Sequence, residues 1–391
     1  MEGAQPQKPF HHERRRRMTY LPAQRMPGLD GLRALAILLV FLRHNVYFFF
    51  EMQGKEPLQS PLWNFMLNGW IGVDLFFVLS GYLITTSLLR TDRHDWKVYV
   101  QKRFLRIVPA YVGVLALCVL GAFPLYTVPT EDLSWRIFYH LLFLQDYLPA
   151  NINVVFWSLG VEEKFYIVAP FLIFFLAGSS REMPTRRLIC WVAGLAALGA
   201  TLRLLSFLAA DPQTYATFFE NVRAPFHANW ETLLLGVAIA FWQEKKGAVT
   251  RAQARNLFYT GLAAMVVLMA SHEMMRAAGL FDALVQPLLI AACMALLVFA
   301  VVGGHSSRWL DNPIARYLSR ISYSFYLVHL PLVPTALYLW SVWGIGSFWL
   351  YSFGYLGISL MAATALHIAL EKPFLDIKDR LTARRPAPQA E

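Results

Sequence analysis

Runs of about twenty apolar residues recur along almost the whole of this 391-residue chain, and nothing else restricts its fold as strongly. A helix needs about twenty apolar residues to cross a bilayer, because lipid offers its backbone no hydrogen-bond partner. Ten such stretches are legible, at roughly 32–50, 71–89, 110–128, 157–176, 188–209, 230–242, 256–272, 283–302, 322–342 and 348–369. The stretch 133–148 is apolar but short and reads as interfacial or re-entrant, and 230–242 is short as well. Composition agrees: only 15% of residues are charged, against about 25% in an average soluble domain.

Charge placement sets the expected topology. With the N-terminus inside, 27 of the 35 Lys and Arg residues fall on inner segments, and only Lys55, Arg136, Arg223 and Arg276 fall on outer ones. Basic loops mark the cytoplasmic side, so an all-α integral membrane protein is expected, with about ten transmembrane helices and both termini cytoplasmic. Counting 133–148 as an eleventh span would reverse every later loop and erase the asymmetry. Residues 1–27 read as a basic cytoplasmic tail whose Arg14–Arg17 block suits anionic lipid. Residues 28–376 form the membrane domain, and 377–391 are expected to be a disordered tail. The localisation implied is the cytoplasmic (inner) membrane, multi-pass. The net charge of +10 is spent on topology, so no nucleic acid partner is expected.

Ionisable residues at depth are costly, and by default they mark a site facing a polar cavity. Arg33 and His44 sit eleven residues apart in the first run. Eleven helical steps make about three turns, so both lie on one face, about 16 Å apart along the axis. Glu162 enters the fourth span from outside to about 8 Å depth, near the level of His44, and Glu163 follows it. Asp74 lies near the outer end of the second span, with Ser80 and Tyr82 near its middle. Glu231 enters the sixth span from the outer side, and Arg203 lies in the outer half of the fifth. An imidazole, carboxylates and a guanidinium are thus expected to converge in the outer half of the membrane. Asp74 and Glu231 read equally well as solvated loop-end carboxylates.

The inner face differs. Before the third span, Arg103 and Arg106 share a helical face at i,i+3 beside Lys102, and Pro109 suits the first turn of the helix that follows. Paired guanidiniums fit phosphate, and Arg33 points along the same axis; topology alone also accounts for basic residues here. Cys118, Cys190 and Cys293 lie in apolar segments without ligand spacing, so neither a disulfide frame nor a metal site is expected.

These residues resemble a known family. Arg33 through His44 looks like the R-x10-H signature of the membrane acyltransferase-3 family, integral O-acyltransferases of glycans and related acceptors. Four further blocks are similar in order: Gly72–Ile84, Lys102–Pro109, Phe156–Tyr166 and Ser322–His329, with Glu371-Lys372-Pro373 near the end. The resemblance covers roughly residues 27–376 and implies a ten-helix fold. One departure stands before the sixth helix. Relatives there show Arg-x-Asp, whereas this chain has Asn229-Trp230-Glu231, which points to a different acceptor. Many relatives also append a soluble esterase-like domain, so any second transfer step is expected to need a partner.

The resemblance implies an O-acetyltransferase that uses cytoplasmic acyl-CoA, chiefly acetyl-CoA, as donor substrate, with no bound cofactor and no metal. Arg33, Arg103 and Arg106 would bind its phosphates. His44 would act as general base, or carry the acyl group itself, with Glu162 orienting it. Ser80, Tyr82, Ser322, Tyr323, Tyr326 and His329 are oxyanion or channel candidates, and Asp74, Glu163 and Glu231 are acceptor-side candidates. The acceptor would be a glycan or glycosylated compound. A polytopic transporter or exporter without acyl transfer is the competing reading.

Overall fold

The computed structural model describes residues 26–57, 60–90, 96–177, 184–245, 247, 249–271, 279–344 and 346–383. Among the described residues every regular element is helical. In chain order they are α1 (Pro27–Met52), α2 (Pro61–Leu67), α3 (Gly72–Arg90), α4 (Trp96–Val119), α5 (Leu133–Leu141), α6 (Trp157–Ala177), α7 (Thr185–Ala210) and α8 (Tyr215–Phe218). There follow α9 (Trp230–Glu244), α10 (Arg251–Ser271), α11 (Leu280–Leu284), α12 (Gln286–Val302), α13 (Pro313–Val328), α14 (Val333–Val342), α15 (Phe348–Leu366) and α16 (Lys372–Ala383). The basic tail expected at 1–27 falls outside the described residues up to residue 25.

Each of the ten expected spans has a helix, but not every helix is a span by length and apolarity. Six are long and apolar enough to cross a bilayer: Gly28–Met52, Pro61–Arg90, Thr185–Ala210, Arg251–Ser271, Leu280–Val302 and Phe348–Leu381. The pair Pro313–Val328 and Leu330–Val342, bent by 61°, makes a seventh. Helix α9 has only 15 residues, α4 carries Lys97, Lys102, Arg103 and Arg106, and α6 carries Glu162, Glu163 and Lys164. The architecture is that of a multi-pass membrane protein.

Three boundaries differ from expectation. Pro109 lies inside α4, which begins at Trp96, so the Arg103–Arg106 segment and the apolar run after it form one helix. The expected tail from 377 is helical as far as Ala383, within α16. The ninth span is broken. Pro331 has no N–H and its ring crowds the carbonyl four residues back, so α13 stops and a short turn, Leu330–Leu332, leads into α14. The carbonyl of Leu327, which Pro331 leaves without its helical donor, accepts Asn153 Nδ2 at 3.1 Å. Pro170 frees the carbonyl of Tyr166 in α6 in the same way, and Tyr99 Oη donates to it at 3.2 Å. Both breaks are thereby compensated, as buried backbone demands.

Helix α1 runs along the seam between two apolar clusters. Ile37, Val40 and Phe41 pack into one, with residues of α4, α6, α13 and α15. Leu29, Leu32, Ala36 and Leu39 pack into the other, with α3, α10 and α12. At 100° per residue Ile37 and Phe41 lie to one side of the Arg33–His44 stripe and Leu29, Leu32, Ala36 and Leu39 to the other, which keeps both polar residues inside the protein instead of facing lipid. Helices α3 and α9 touch backbone to backbone where Gly81 meets Gly236. A Cβ on Gly81 would collide with the Leu233 carbonyl oxygen, and one on Gly236 with that of Val78. Small residues permit such approach in membrane helices.

Candidate active site

His44 and His329 meet where α1 packs against α13. His44 Nδ1 lies 3.0 Å from His329 Nε2, and the rings are 5.0 Å apart. His329 is fully buried, and its Nδ1 is 2.9 Å from the Tyr326 carbonyl and 3.2 Å from that of Phe325. A carbonyl only accepts, so His329 Nδ1 carries the proton and, in the neutral ring, Nε2 is the acceptor. His44 must then donate from Nδ1, which leaves its Nε2 with a free lone pair. Tyr355 Oη donates to the His329 carbonyl at 2.8 Å and pins the helix break from α15. Phe48 stacks one turn beyond His44, with ring centroids 6.2 Å apart.

The other end of the stripe is cationic. Arg33, near the start of α1, lies 3.8 Å from Asp30 and within electrostatic reach of Arg103 and Arg106 on α4. The expected convergence of these three arginines is present. The guanidinium of Arg103 sits 4.9 Å from the centroid of the Tyr166 ring and 5.8 Å from that of Tyr99. Such faces attract a cation without neutralising it.

Between the two ends the polar groups form a file. Ser158 Oγ pairs with Tyr326 Oη at 2.6 Å, beside the ring of His329. One turn further along α6, Glu162 accepts from Ser80 Oγ at 2.8 Å and from Tyr166 Oη at 3.1 Å. The expected support of His44 by Glu162 is therefore not what the protein builds. Both oxygens of Glu162 are engaged by Ser80 and Tyr166 on the arginine side, and the imidazole is oriented by His329. Glu163 lies beside it, with Oε1 buried and without a hydrogen-bond partner.

The oxyanion candidates are largely committed elsewhere. A hydroxyl has one proton; that of Tyr326 goes to the Val155 carbonyl at 2.7 Å, and that of Tyr323 to the Ile107 carbonyl at 2.9 Å. Ser322 donates to the Ser319 carbonyl of its own helix, and Tyr82 to Gln243 at 2.6 Å, tying α3 to α9. These groups hold helices together.

The acceptor-side carboxylates are also paired. Asp74 is buried and accepts from Arg223 at 2.7 Å, while Arg223 also donates to Asn229 at 2.6 Å. Glu231 is paired with Arg203, whose guanidinium also donates to the Ala228 and Ala283 carbonyls. Arg223, six residues before Asn229, and Arg203, from α7, thus serve the Asn229-Trp230-Glu231 segment that lacks a guanidinium of its own. Neither partner was readable from sequence, because Arg223 resembles an ordinary loop cation and Arg203 lies 28 residues from Glu231.

Chemically, the arrangement offers a cluster of guanidiniums, a file of polar side chains and an imidazole with an unprotonated nitrogen. Comparison with known proteins gives the family. Residues 26–368 match the family described as "Acyltransferase domain", and the chain belongs to this acyltransferase-3 family. "Putative peptidoglycan O-acetyltransferase YrhL" of Bacillus subtilis (strain 168) is 26% identical over 385 residues, covering 92% of this chain and 56% of that protein. "O-acetyltransferase OatA" of Staphylococcus aureus (strain NCTC 8325 / PS 47) is 27% identical over 345 residues, covering 79% and 50%. The chain spans about half the length of these relatives. No solved structure matches it.

Proposed function

We propose that this chain is an integral membrane O-acetyltransferase that passes an acetyl group from acetyl-CoA to a hydroxyl of a glycan acceptor. The observation that carries the reading is the single face of α1, which joins a guanidinium cluster to His44 about 16 Å away, a span an extended pantetheine arm can cover. The coenzyme's phosphates bind at Arg33, Arg103 and Arg106 on the cytoplasmic side, and the thioester reaches His44. The names of YrhL and OatA support O-acetylation, and that of YrhL puts peptidoglycan first among acceptors to test.

His44 Nε2 takes the proton of the acceptor hydroxyl as its oxygen attacks the thioester carbonyl. The C–S bond breaks, and the proton passes to the departing thiolate to give free coenzyme A. His329 holds the tautomer throughout, since His44 Nδ1–H donates to it before and after proton transfer. An unprotonated Nε2 is what a general base requires.

The test is transfer from labelled acetyl-CoA to peptidoglycan fragments by purified protein in nanodiscs. His44→Ala is expected to lower kcat by about 10²–10⁴-fold with acetyl-CoA binding retained. Full turnover in that variant overturns the assignment. Acetyl label trapped on His44 in the absence of acceptor would replace the base by an acyl relay.

A further inference from the structure

A fourth cation reaches the arginine cluster from the far end of the chain. After Leu366, α15 passes through one wide turn, His367–Glu371, with π-helical hydrogen bonding, and continues as α16. Such turns are uncommon inside helices and gather at functional sites. Glu371 anchors this one. Its Oε2 accepts from Ser324 Oγ of α13 at 2.7 Å and lies 2.8 Å from His367 Nδ1, and all three side chains are buried. On the other side α4 approaches so closely that a Cβ on Gly113 would press into Leu370 Cδ1. The wide turn is held between α13 and α4, and α16 lies along α4 as a consequence. Lys378, in the second turn of α16, thereby comes within electrostatic reach of both Arg106 and Arg103, with Asp379 3.4 Å from its Nζ.

Gathering like charges costs free energy unless anions offset it; Asp30 near Arg33, Glu162 and Glu163 near Arg103, and Asp379 beside Lys378 supply some of that offset from within the protein. Coenzyme A carries a diphosphate and a separate ribose phosphate, more negative charge than Arg33, Arg103 and Arg106 together can balance. An ammonium on a flexible stem serves as a phosphate contact where bidentate geometry is not needed.

We propose that Lys378 is a donor-binding residue, a fourth cation that contacts the phosphates of acyl-CoA beside Arg33, Arg103 and Arg106. The proposal rests on the acyl-CoA reading above, and it adds a residue 272 positions from Arg106 in sequence.

The experiment measures binding of labelled acetyl-CoA to the full chain in nanodiscs, with competition by unlabelled acetyl-CoA and by S-acetylpantetheine, which has no phosphate. Lys378→Gln is expected to weaken acetyl-CoA about tenfold, the size of one charged contact. Lys378→Arg should restore it, and competition by S-acetylpantetheine should move less than about twofold. Unchanged acetyl-CoA affinity in Lys378→Gln overturns the proposal and leaves the donor reading standing. Equal weakening of both compounds assigns Lys378 to helix packing and also overturns it. No acetyl-CoA binding by the unaltered protein overturns the donor reading itself, and this proposal with it.

Discussion

Replacing His329 by alanine tests the logic of the site without touching the proposed base. His329 Nδ1 is committed to two carbonyls, so its Nε2 is the acceptor that keeps the proton of His44 on Nδ1. Without that acceptor, the His44 N–H keeps only the Val40 carbonyl one turn back, so the Nδ1–H tautomer is favoured less and more of the rings carry the proton on Nε2, where the nitrogen can no longer accept one from a hydroxyl. A lost buried hydrogen bond is worth about 1–3 kcal/mol, which corresponds to a fall in kcat of roughly 5–150-fold. That is smaller than the loss expected for His44→Ala. The proposed donor site at Arg33 is far along α1, so the apparent constant for acetyl-CoA should change less than about twofold. His329→Gln, whose side-chain oxygen can accept from His44, should recover part of the rate. The assay is steady-state transfer from labelled acetyl-CoA in nanodiscs, with acetyl-CoA binding as the check on folding. A His329→Ala protein that binds donor and turns over at the original rate refutes the tautomer argument. A rise in the donor constant at unchanged kcat refutes it equally.

Three further outcomes are expected. Arg33→Gln should raise the apparent constant for acetyl-CoA about tenfold, by loss of one charged contact, with acceptor affinity unaltered; initial-rate kinetics with each substrate varied decides it. Gly236→Val should lower stability by about 1–3 kcal/mol, the cost of overpacking, because α9 would be pushed off α3 at the Val78 carbonyl; thermal unfolding in detergent reads the loss. In the loop after α12, burial holds the His305 imidazole below its ordinary pKa, with Arg255 adding to the effect, and the ring stacks on Phe258 at 4.3 Å. A depressed histidine stabilises the fold at pH above the ordinary value of about 6.5, and that contribution is lost as pH falls below it. His305→Phe should therefore flatten the decline in melting temperature between about pH 7 and pH 5.

Much of the architecture was legible because lipid imposes a one-dimensional rule. A segment that must satisfy its own backbone and face hydrocarbon writes both demands into consecutive residues, so the apolar runs foreshadowed helices, of which six, or seven with the bent pair α13 and α14, are long and apolar enough to cross a bilayer. The facing of Arg33 and His44 followed from helical periodicity alone, since both lie on one element. Convergence of Arg103 and Arg106 with Arg33 was foreseen as well, from the shared face of a short motif.

What the sequence could not carry was pairing between elements. Depth along a span placed Glu162 level with His44, yet depth says nothing of azimuth. The rotation of α6 turns Glu162 toward Ser80 of α3 instead, with Tyr166 of its own helix donating to the other oxygen. The partner His329 comes from 285 residues away, delivered by a break at Pro331 that Asn153 and Tyr355 compensate from two other elements. The guanidiniums on Asp74 and Glu231 arrive in the same manner, from Arg223 and Arg203. By itself, then, the sequence determined a helical membrane protein, a cationic end and an imidazole on one face. The tertiary structure alone decided which nitrogen of that imidazole is free, because a proton's position depends on the acceptor opposite it, and that acceptor belongs to another helix.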